Sequence, residues 1–320
     1  MNPQIVSCRK ALSEKFGELK ASGSGALIAY LMAGDPSPEI TPELVEALVR
    51  GGADVIELGF PFSDPIADGP TIQAAGQRAL AAGLDVEGYF TLVESINTEI
   101  PLVCMTYYNP VFRYGLEKFT ERAAKAGING LIVPDLPVEE ASELHGFCKK
   151  YGIDLIFLIA PTTPDLRLKK ILEKGSGFVY LVARLGVTGA RADISGSTKE
   201  LLSRVKTALP KAVGFGISTG EQAAEVRKEG ADAIIVGSAF VKLIEEGFRE
   251  AAEEKQVRVT EEKQVRTAEE KQVRMAEEKQ VITAEEKKDV SEKIEALARE
   301  LKSGILEASG ILEASETKRQ

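Results

Sequence analysis

Eight short apolar runs recur along this chain, and each is followed by a longer stretch with helical spacing. The runs are "ALIAYLMAG", "ADVIELGF", "PLVCMTYYN", "INGLIVPD", "IDLIFLIAP", "GFVYLVAR", "KAVGFGIS" and "ADAIIVGS"; the segments between them include "PELVEALVRGG" and "LEKFTERAAKAG". Runs with so little polar alternation belong to strands buried on both faces, the condition of a parallel sheet flanked by helices. Strand–helix alternation builds right-handed βαβ units. Eight such units within about 245 residues predict an α/β fold, a closed (β/α)8 TIM barrel. A further helix, over about Pro3–Leu19, precedes the first strand. An open doubly wound sheet is the rival arrangement. Its first strand usually leads into GxGxxG, whereas the turn here reads "AGDPSPE".

Beyond Gly247 the composition changes. "AEEKQVRVTEEKQVRTAEEKQVRMAEEKQVITAEEKKDV" repeats a unit of about eight residues. Eight residues turn roughly 800° on an α-helix, so each valine drifts about 80° from the one before. No fixed apolar seam forms, because a coiled coil needs a period near seven or eleven. The pairs Glu254–Arg258, Glu262–Arg266 and Glu270–Arg274 are spaced i,i+4 in the favourable direction. The stretch therefore reads as a solvated, charge-paired helix, with weak self-association through Val and Met as the alternative. "SEKIEALARELK" then presents Ile294, Leu297 and Leu301 on one face, and "SGILEASGILEAS" closes the chain. The expected organisation is a catalytic barrel over 1–250, an octad-repeat charged insertion over 251–290, and a terminal barrel helix with a short repeat tail over 291–320. The fold class is thus a TIM barrel with an extra N-terminal helix and a repetitive charged helical C-terminal extension.

Composition narrows the function. The 320 residues carry a formal net charge of −9, which repels nucleic acid and acidic membrane surfaces. No apolar run reaches the roughly 18 residues of a membrane span, and the first residues lack the pattern of a signal peptide. A cytoplasmic setting is expected, with Cys8, Cys104 and Cys148 as small buried hydrophobes. The sole histidine, His145, lies on an amphipathic helix ending near Gly152. Histidine triads and metal clusters are therefore not expected, and acid–base chemistry falls to carboxylates, tyrosine or lysine.

Active sites of this fold lie at the C-terminal ends of the strands. On the second strand Val55 and Glu57 share one face, with Ile56 and Leu58 on the other. Glu57 is near the strand end, where it can point into the barrel mouth. The loop after it, "FPFSDPIADG", holds Asp64 and Asp68 and is stiffened by Pro61 and Pro65. Tyr107, Tyr108 and Asn109 follow the third strand, Asp135 the fourth, and Tyr180 lies on the sixth. "ARLGVTGARADISGS" after the sixth strand has the length and small residues of a lid. Gly214 and Gly216 on the seventh strand, and Gly237 with Ser238 at the start of the helix "SAFVKLIEEG", let backbone amides approach an anion. With Gly186 and Gly189 they predict a phosphate site and a small phosphate ester as substrate.

Together "ELGFPFSDPIADGPTIQ", "YLVARLGVTGAR", "GFGIS" and "VGSA", with "LMAGDP" and "MTYYNPVF", resemble the tryptophan synthase alpha chain family over about residues 3–247. The resemblance implies a lyase, within the carbon–oxygen lyase class to which tryptophan synthase is assigned. Its alpha reaction cleaves indole-3-glycerol phosphate to indole and glyceraldehyde 3-phosphate by retro-aldol acid–base catalysis, in L-tryptophan biosynthesis. It implies no metal and no cofactor in this chain. The implied partner is a beta chain that carries pyridoxal phosphate, in an αββα tetramer. Carried over by motif, Glu57 is the catalytic acid–base and Asp68 holds the indole N–H. Tyr180 lies beside the glycerol chain, Tyr107 lines the pocket, and Gly189, Gly216, Gly237 and Ser238 offer backbone donors to the phosphate. Asp64 is expected to contact the partner chain. Ala29, Met32 and Ala183 depart from the residues common in the family, and Tyr30 would add a hydroxyl beside the indole. The rival readings are another phosphate-binding barrel, either an isomerase or indole-glycerol-phosphate synthase, which do not share the "PFSDPIADG" loop, and a weakly catalytic regulatory alpha-like subunit.

Overall fold

A computed structural model describes residues 9–182, 194–214, 216–263 and 282–311 of the chain, without the side chains of 194–197 and 251–263. Its strands are β1 (Ala26–Met32), β2 (Val55–Gly59), β3 (Leu102–Met105), β4 (Gly130–Ile132), β5 (Asp154–Ile156), β6 (Leu158–Ile159), β7 (Val179–Val182), β8 (Lys211–Gly214) and β9 (Ala233–Val236). All pair in parallel, in the order β5-β4-β3-β2-β1-β9-β8-β7-β6. Every apolar run of the sequence is a strand, and the fifth is two. That run pairs with β4 before Phe157 and with β7 after it. At the break the Phe157 carbonyl accepts the Tyr180 N–H at 3.2 Å. Ser176 fills the gap below, donating its N–H to the Leu155 carbonyl and accepting the Leu155 N–H on its hydroxyl, both at 3.1 Å. The two ends of the sheet are therefore consecutive pieces of one chain, and the ring closes through them as a (β/α)8 barrel.

The helices are α1 (Leu12–Ala21), α2 (Thr41–Arg50), α3 (Pro70–Ala81), α4 (Val86–Ser95), α5 (Tyr108–Tyr114), α6 (Leu116–Lys125), α7 (Ser142–Tyr151), α8 (Asp165–Lys174), α9 (Ile194–Arg204), α10 (Gly220–Lys228), α11 (Ser238–Lys263) and α12 (Ala284–Ala308). Period-2 geometry splits each strand between two environments. Outward residues such as Ile56 and Leu58 join the main core with the helices, while Ile28, Val55, Val103 and Ile156 point inward. Leu12 and Phe16 of α1 belong to that inner layer, with the Phe16 ring 5.9 Å from Phe178, so the N-terminal helix plugs the lower end of the barrel. Just before it, the Arg9 guanidinium donates to the carbonyls of Val93, Ile96, Ala126 and Gly127 at 2.7–3.0 Å. It satisfies carbonyls left over at the ends of α4 and α6.

The octad stretch begins inside α11, which runs on to Lys263. The chain re-enters the described structure at Ile282, and Thr283 with Glu286 forms a capping box that starts α12: the Thr283 hydroxyl accepts the Glu286 N–H at 3.3 Å and the Glu286 carboxylate accepts the Thr283 N–H at 2.6 Å. Val290, Ile294, Ala298, Leu301 and Ile305 make the buried stripe of this helix at i, i+3/i+4 spacing, and Leu297 packs at its margin. It lies against α2, α10 and α11. Two glycines set the depth of contact: a Cβ on Gly51 would collide with Ala298, and one on Gly304 with the Gly220 carbonyl. Polar contacts set the register. Lys302 Nζ donates to Asp54 Oδ2 at 2.6 Å and to the Gly25 carbonyl at 2.9 Å, and Asp54 also accepts the Leu27 N–H at 2.8 Å and faces Lys15 at 3.2 Å. Glu300 Oε1 accepts the Gly220 N–H at 2.8 Å. Gly304→Ala is expected to lower stability by about 2 kcal/mol, as overpacking does at a site whose obstacle is backbone. The urea midpoint should fall with the m-value unchanged; an unchanged midpoint would show that α12 is not held this tightly.

Candidate active site

The inward face of β2 leads from Val55 to Glu57, which the register sets beside Tyr30 of β1 and Val103 of β3. Glu57 is 1% exposed, and among the described residues its Oε2 has no hydrogen-bond partner. Burial, reinforced by the charge of Asp68, pushes its carboxyl up to about 8. It is therefore a protonated acid at neutral pH. Asp68 sits at the end of the following loop, half-buried. Burial raises its carboxyl too, against a hydrogen bond from the Tyr107 hydroxyl that favours its charge.

Glu57 and Asp68 face one cavity of about 360 Å³, within the size range of small-molecule sites. Its walls also include Tyr30, Met105, Tyr180 and Ile235 from the strands and Thr71 and Ile72 from the first turn of α3. Gly216, Gly237 and Ser238 also line it. Gly216 has φ +70°, a conformation that glycine adopts without strain. Ser238 opens α11, where the first turn leaves amides without partners in the helix and the dipole favours negative charge. The cavity thus brings two carboxyl groups and the start of a helix into one space.

Two residues expected at the pocket, Tyr107 and Gly214, stand elsewhere. Tyr107 is buried behind the cavity wall, not in it. Its hydroxyl accepts the Ala67 N–H at 3.0 Å, its ring lies 5.4 Å from Phe62, and it holds the Asp68 carboxylate, so it braces the loop. Gly214 lies within β8, where a Cβ would come 2.8 Å from the Tyr180 hydroxyl; it makes room for that tyrosine and does not line the cavity. Asp64 is exposed on the outer loop, where it accepts the Ser63 hydroxyl at 2.5 Å. Gly186, Gly189, Ala183 and the lid expected around them lie outside the described residues. Asp135 accepts the Tyr108 N–H at 2.8 Å and so fixes the start of α5. His145 is half-buried on α7, and burial with Lys149 and Lys174 lowers its pKa. Cys104 and Cys148 are buried and free.

Thr71, Ile72, Met105 and Ile235 were not singled out by sequence. Thr71 and Ile72 directly follow the "ADGP" turn, and Ile235 shares the inward face of β9 with Ala233, so position along the strand and helix could have found them. Tyr30 reaches across this floor: its Cβ lies beside Gly237, its hydroxyl rests where Gly59 has no side chain, and that hydroxyl meets Met32 Sδ at 4.0 Å.

The family model of the tryptophan synthase alpha chain matches residues 16–274. The chain belongs to the tryptophan synthase alpha chain family. It is 64% identical over 301 residues to the tryptophan synthase alpha chain of Methanosarcina acetivorans, covering 94% of this chain and 96% of that one. The alpha chain of Methanocaldococcus jannaschii is 51% identical over 249 residues, 76% of this chain and 88% of its own. Among solved structures, tryptophan synthase of Mycobacterium tuberculosis superposes with a TM-score of 0.73 at 35% identity, over 93% of this chain and 98% of that chain. The alpha subunit from Legionella pneumophila superposes with a TM-score of 0.73 at 34% identity, over 92% and 97%. This tryptophan synthase alpha family membership places the chain in tryptophan biosynthesis and sets aside the other phosphate-binding barrels. Among the described residues no helix is long and apolar enough to cross a membrane, and no three His, Cys, Asp or Glu side chains converge as a metal site.

The raised Glu57 carboxyl has a stability consequence. The folded state keeps a proton that the unfolded chain loses near the ordinary glutamate value, so stability falls as pH rises from about 4.5 and levels off above about 8. At 1.36 kcal/mol per pKa unit the full loss is on the order of 5 kcal/mol. Glu57→Gln removes the titration. Its melting temperature relative to the parent chain is expected to climb between pH 5 and pH 9; a difference independent of pH would show that Glu57 ionises freely.

Proposed function

We propose that this chain is the lyase of the alpha reaction, cleaving indole-3-glycerol phosphate to indole and glyceraldehyde 3-phosphate by retro-aldol acid–base chemistry. The observation that carries the reading is a fully buried glutamic acid, its carboxyl pushed up to about 8 and its Oε2 without a hydrogen-bond partner among the described residues, on the wall of a cavity that a helix N-terminus also lines. The phosphate sits at Gly216, Gly237 and Ser238, with Gly189 as a further donor. Tyr180 lies along the glycerol chain. Glu57 gives its proton to C3 of the indole ring, which makes the ring an electron sink. The Glu57 carboxylate then takes the proton of the adjacent glycerol hydroxyl. The C–C bond breaks, its electron pair passes into the ring to leave indole, and the hydroxyl carbon becomes the aldehyde. Asp68 accepts the indole N–H and opposes the positive charge that develops on nitrogen. Tyr107 holds Asp68 in place, and the anchored phosphate fixes the reach from ring to Glu57. One carboxyl held neutral by burial and a second in a more polar setting is a recurring way to obtain acid and anion from like groups.

The chain itself uses no cofactor or metal in this chemistry and works in the cytoplasm. Its partner is a beta chain with its own pyridoxal phosphate, in an αββα tetramer that receives the indole. Ile66, 79% exposed on the Asp68 loop, and Phe112, 63% exposed on α5, support a docking face beside the barrel mouth, with Asp64 at its edge. The division into a barrel over 1–250, an octad insertion over 251–290 and a terminal helix with tail over 291–320 belongs to the same reading; the dense contacts of α12 support its independence from the repeats.

Indole release from indole-3-glycerol phosphate, with and without a beta chain, tests the reaction. Glu57→Gln and Asp68→Asn are each expected to lower kcat by at least about 100-fold, the scale of lost acid–base or charge stabilisation. Binding of glycerol 3-phosphate should persist in both. Full turnover by Glu57→Gln would sink the assignment. Deletion of residues 264–281 is expected to leave kcat within about twofold, since α12 keeps its capping box and its contacts; a collapse of activity would assign the repeats a structural role.

A further inference from the structure

Two parts of the cavity wall stand on different helices. Asp68 is two residues before α3, whose first turn supplies Pro70, Thr71 and Ile72 to the wall. Gln73 Nε2 donates to the Asp68 carbonyl at 2.8 Å, so helix and loop move together. Gly237 and Ser238 open α11. A ligand that spans the cavity therefore senses how α3 and α11 are placed relative to each other. Both helices pack over β1 through one apolar cluster: Ala75 and Ala79 of α3, Val241 of α11, and Tyr30 and Met32 of β1. Contacts of this kind are non-directional, and methionine adapts its shape, so the cluster attracts the helices without fixing their register.

Arg78 of α3 supplies the direction. Its Nε and Nη2 donate to Oδ1 and Oδ2 of Asp35 at 2.6 and 2.8 Å, and its Nη1 lies 3.5 Å from Oε1 of Glu245 on α11. Asp35 is 1% exposed in the loop that follows β1. A two-pronged guanidinium–carboxylate contact constrains orientation as well as distance, which a point charge does not. One side chain thus joins α3, the end of β1 and α11, and it is not itself part of the cavity wall.

We propose that Arg78 is a positioning residue: by tying α3 to the β1 loop and to α11, it sets the span between the Asp68 side and the phosphate side of the pocket. The inference rests on the cleavage reading above, because only a substrate that bridges both sides requires that span. Its signature is a loss confined to bridging ligands. Groups that occupy one side alone do not depend on the relation between the two, whereas a joined ligand gains from both only when the spacing matches.

Calorimetric titration of the full chain with three probes tests this: glycerol 3-phosphate, indole, and an uncleavable analogue with an indole ring joined to a phosphate by a three-carbon chain. In Arg78→Gln, the dissociation constants for the first two are expected to stay within about twofold of the parent chain, while the analogue weakens by about tenfold and cleavage kcat/KM falls at least as far. Glu245→Gln, at a position 42% exposed where unfolding is not at issue, is expected to show the same pattern at about two- to threefold. Equal weakening of all three probes would mean a general loosening and would overturn the proposal, as would unchanged binding of the analogue in both variants. If the parent chain binds the analogue no more tightly than glycerol 3-phosphate, the cleavage reading falls, and this inference with it.

Discussion

A parallel sheet with open edges exposes rows of unpaired amides and carbonyls, and this molecule removes both edges with one apolar run of chain that supplies two short strands. The fifth run pairs first with β4 and then, past Phe157, with β7. Closure at that point turns every inward side chain toward a common axis. The lower layer is filled by Ile28, Val55, Val103, Ile132 and Ile156, by the small Ala26, Ala212 and Ala233, and by Leu12 and Phe16 from below. The upper layer is not filled, and Glu57, the next inward position after Val55, meets the cavity left there.

The electrostatics of the pocket follow from this placement. Glu57 is 1% exposed in the barrel wall, and burial together with the charge of Asp68 pushes its carboxyl up to about 8, so it keeps its proton near neutrality. Asp68 stands further out, on a loop stiffened by prolines and braced by Tyr107. A strand residue sealed in the wall and a loop residue at the rim thus meet different surroundings: Glu57 is fully buried, whereas Asp68 is half-buried and has the Tyr107 hydroxyl beside it. The cavity wall also includes backbone: a left-handed glycine and the start of a helix.

The outer layer closes as tightly as the inner one, although α12 lies beyond a long charged repeat. Its contacts with the barrel run through bare glycine surfaces and through a buried aspartate shared by Lys302, Lys15 and the Leu27 amide. Such directional contacts specify one docked register, which explains how the helix can find its place after an interruption whose eight-residue period offers no continuous apolar face of its own.

Strand existence and order were legible in the sequence because burial on both faces writes itself as uninterrupted apolar runs, and the helices because their stripes recur at 3.6 residues. The inward orientation of Glu57 was legible too, from parity with Val55. The division of the fifth strand was not, since Phe157 is as apolar as its neighbours and only hydrogen-bond partners distinguish it. Nor was the exchange of roles at Tyr107 and Gly214: both adjoin true pocket residues, but one turns behind the wall and the other yields its space to Tyr180. The sequence by itself determined the alternation of elements, the family motifs and the carboxylates available for chemistry, because these depend on local spacing. Only the tertiary structure decided which side chains face the cavity, how far burial shifts Glu57, and that Arg78 joins Asp35 and Glu245, because those depend on residues brought together across 43 and 167 positions of chain.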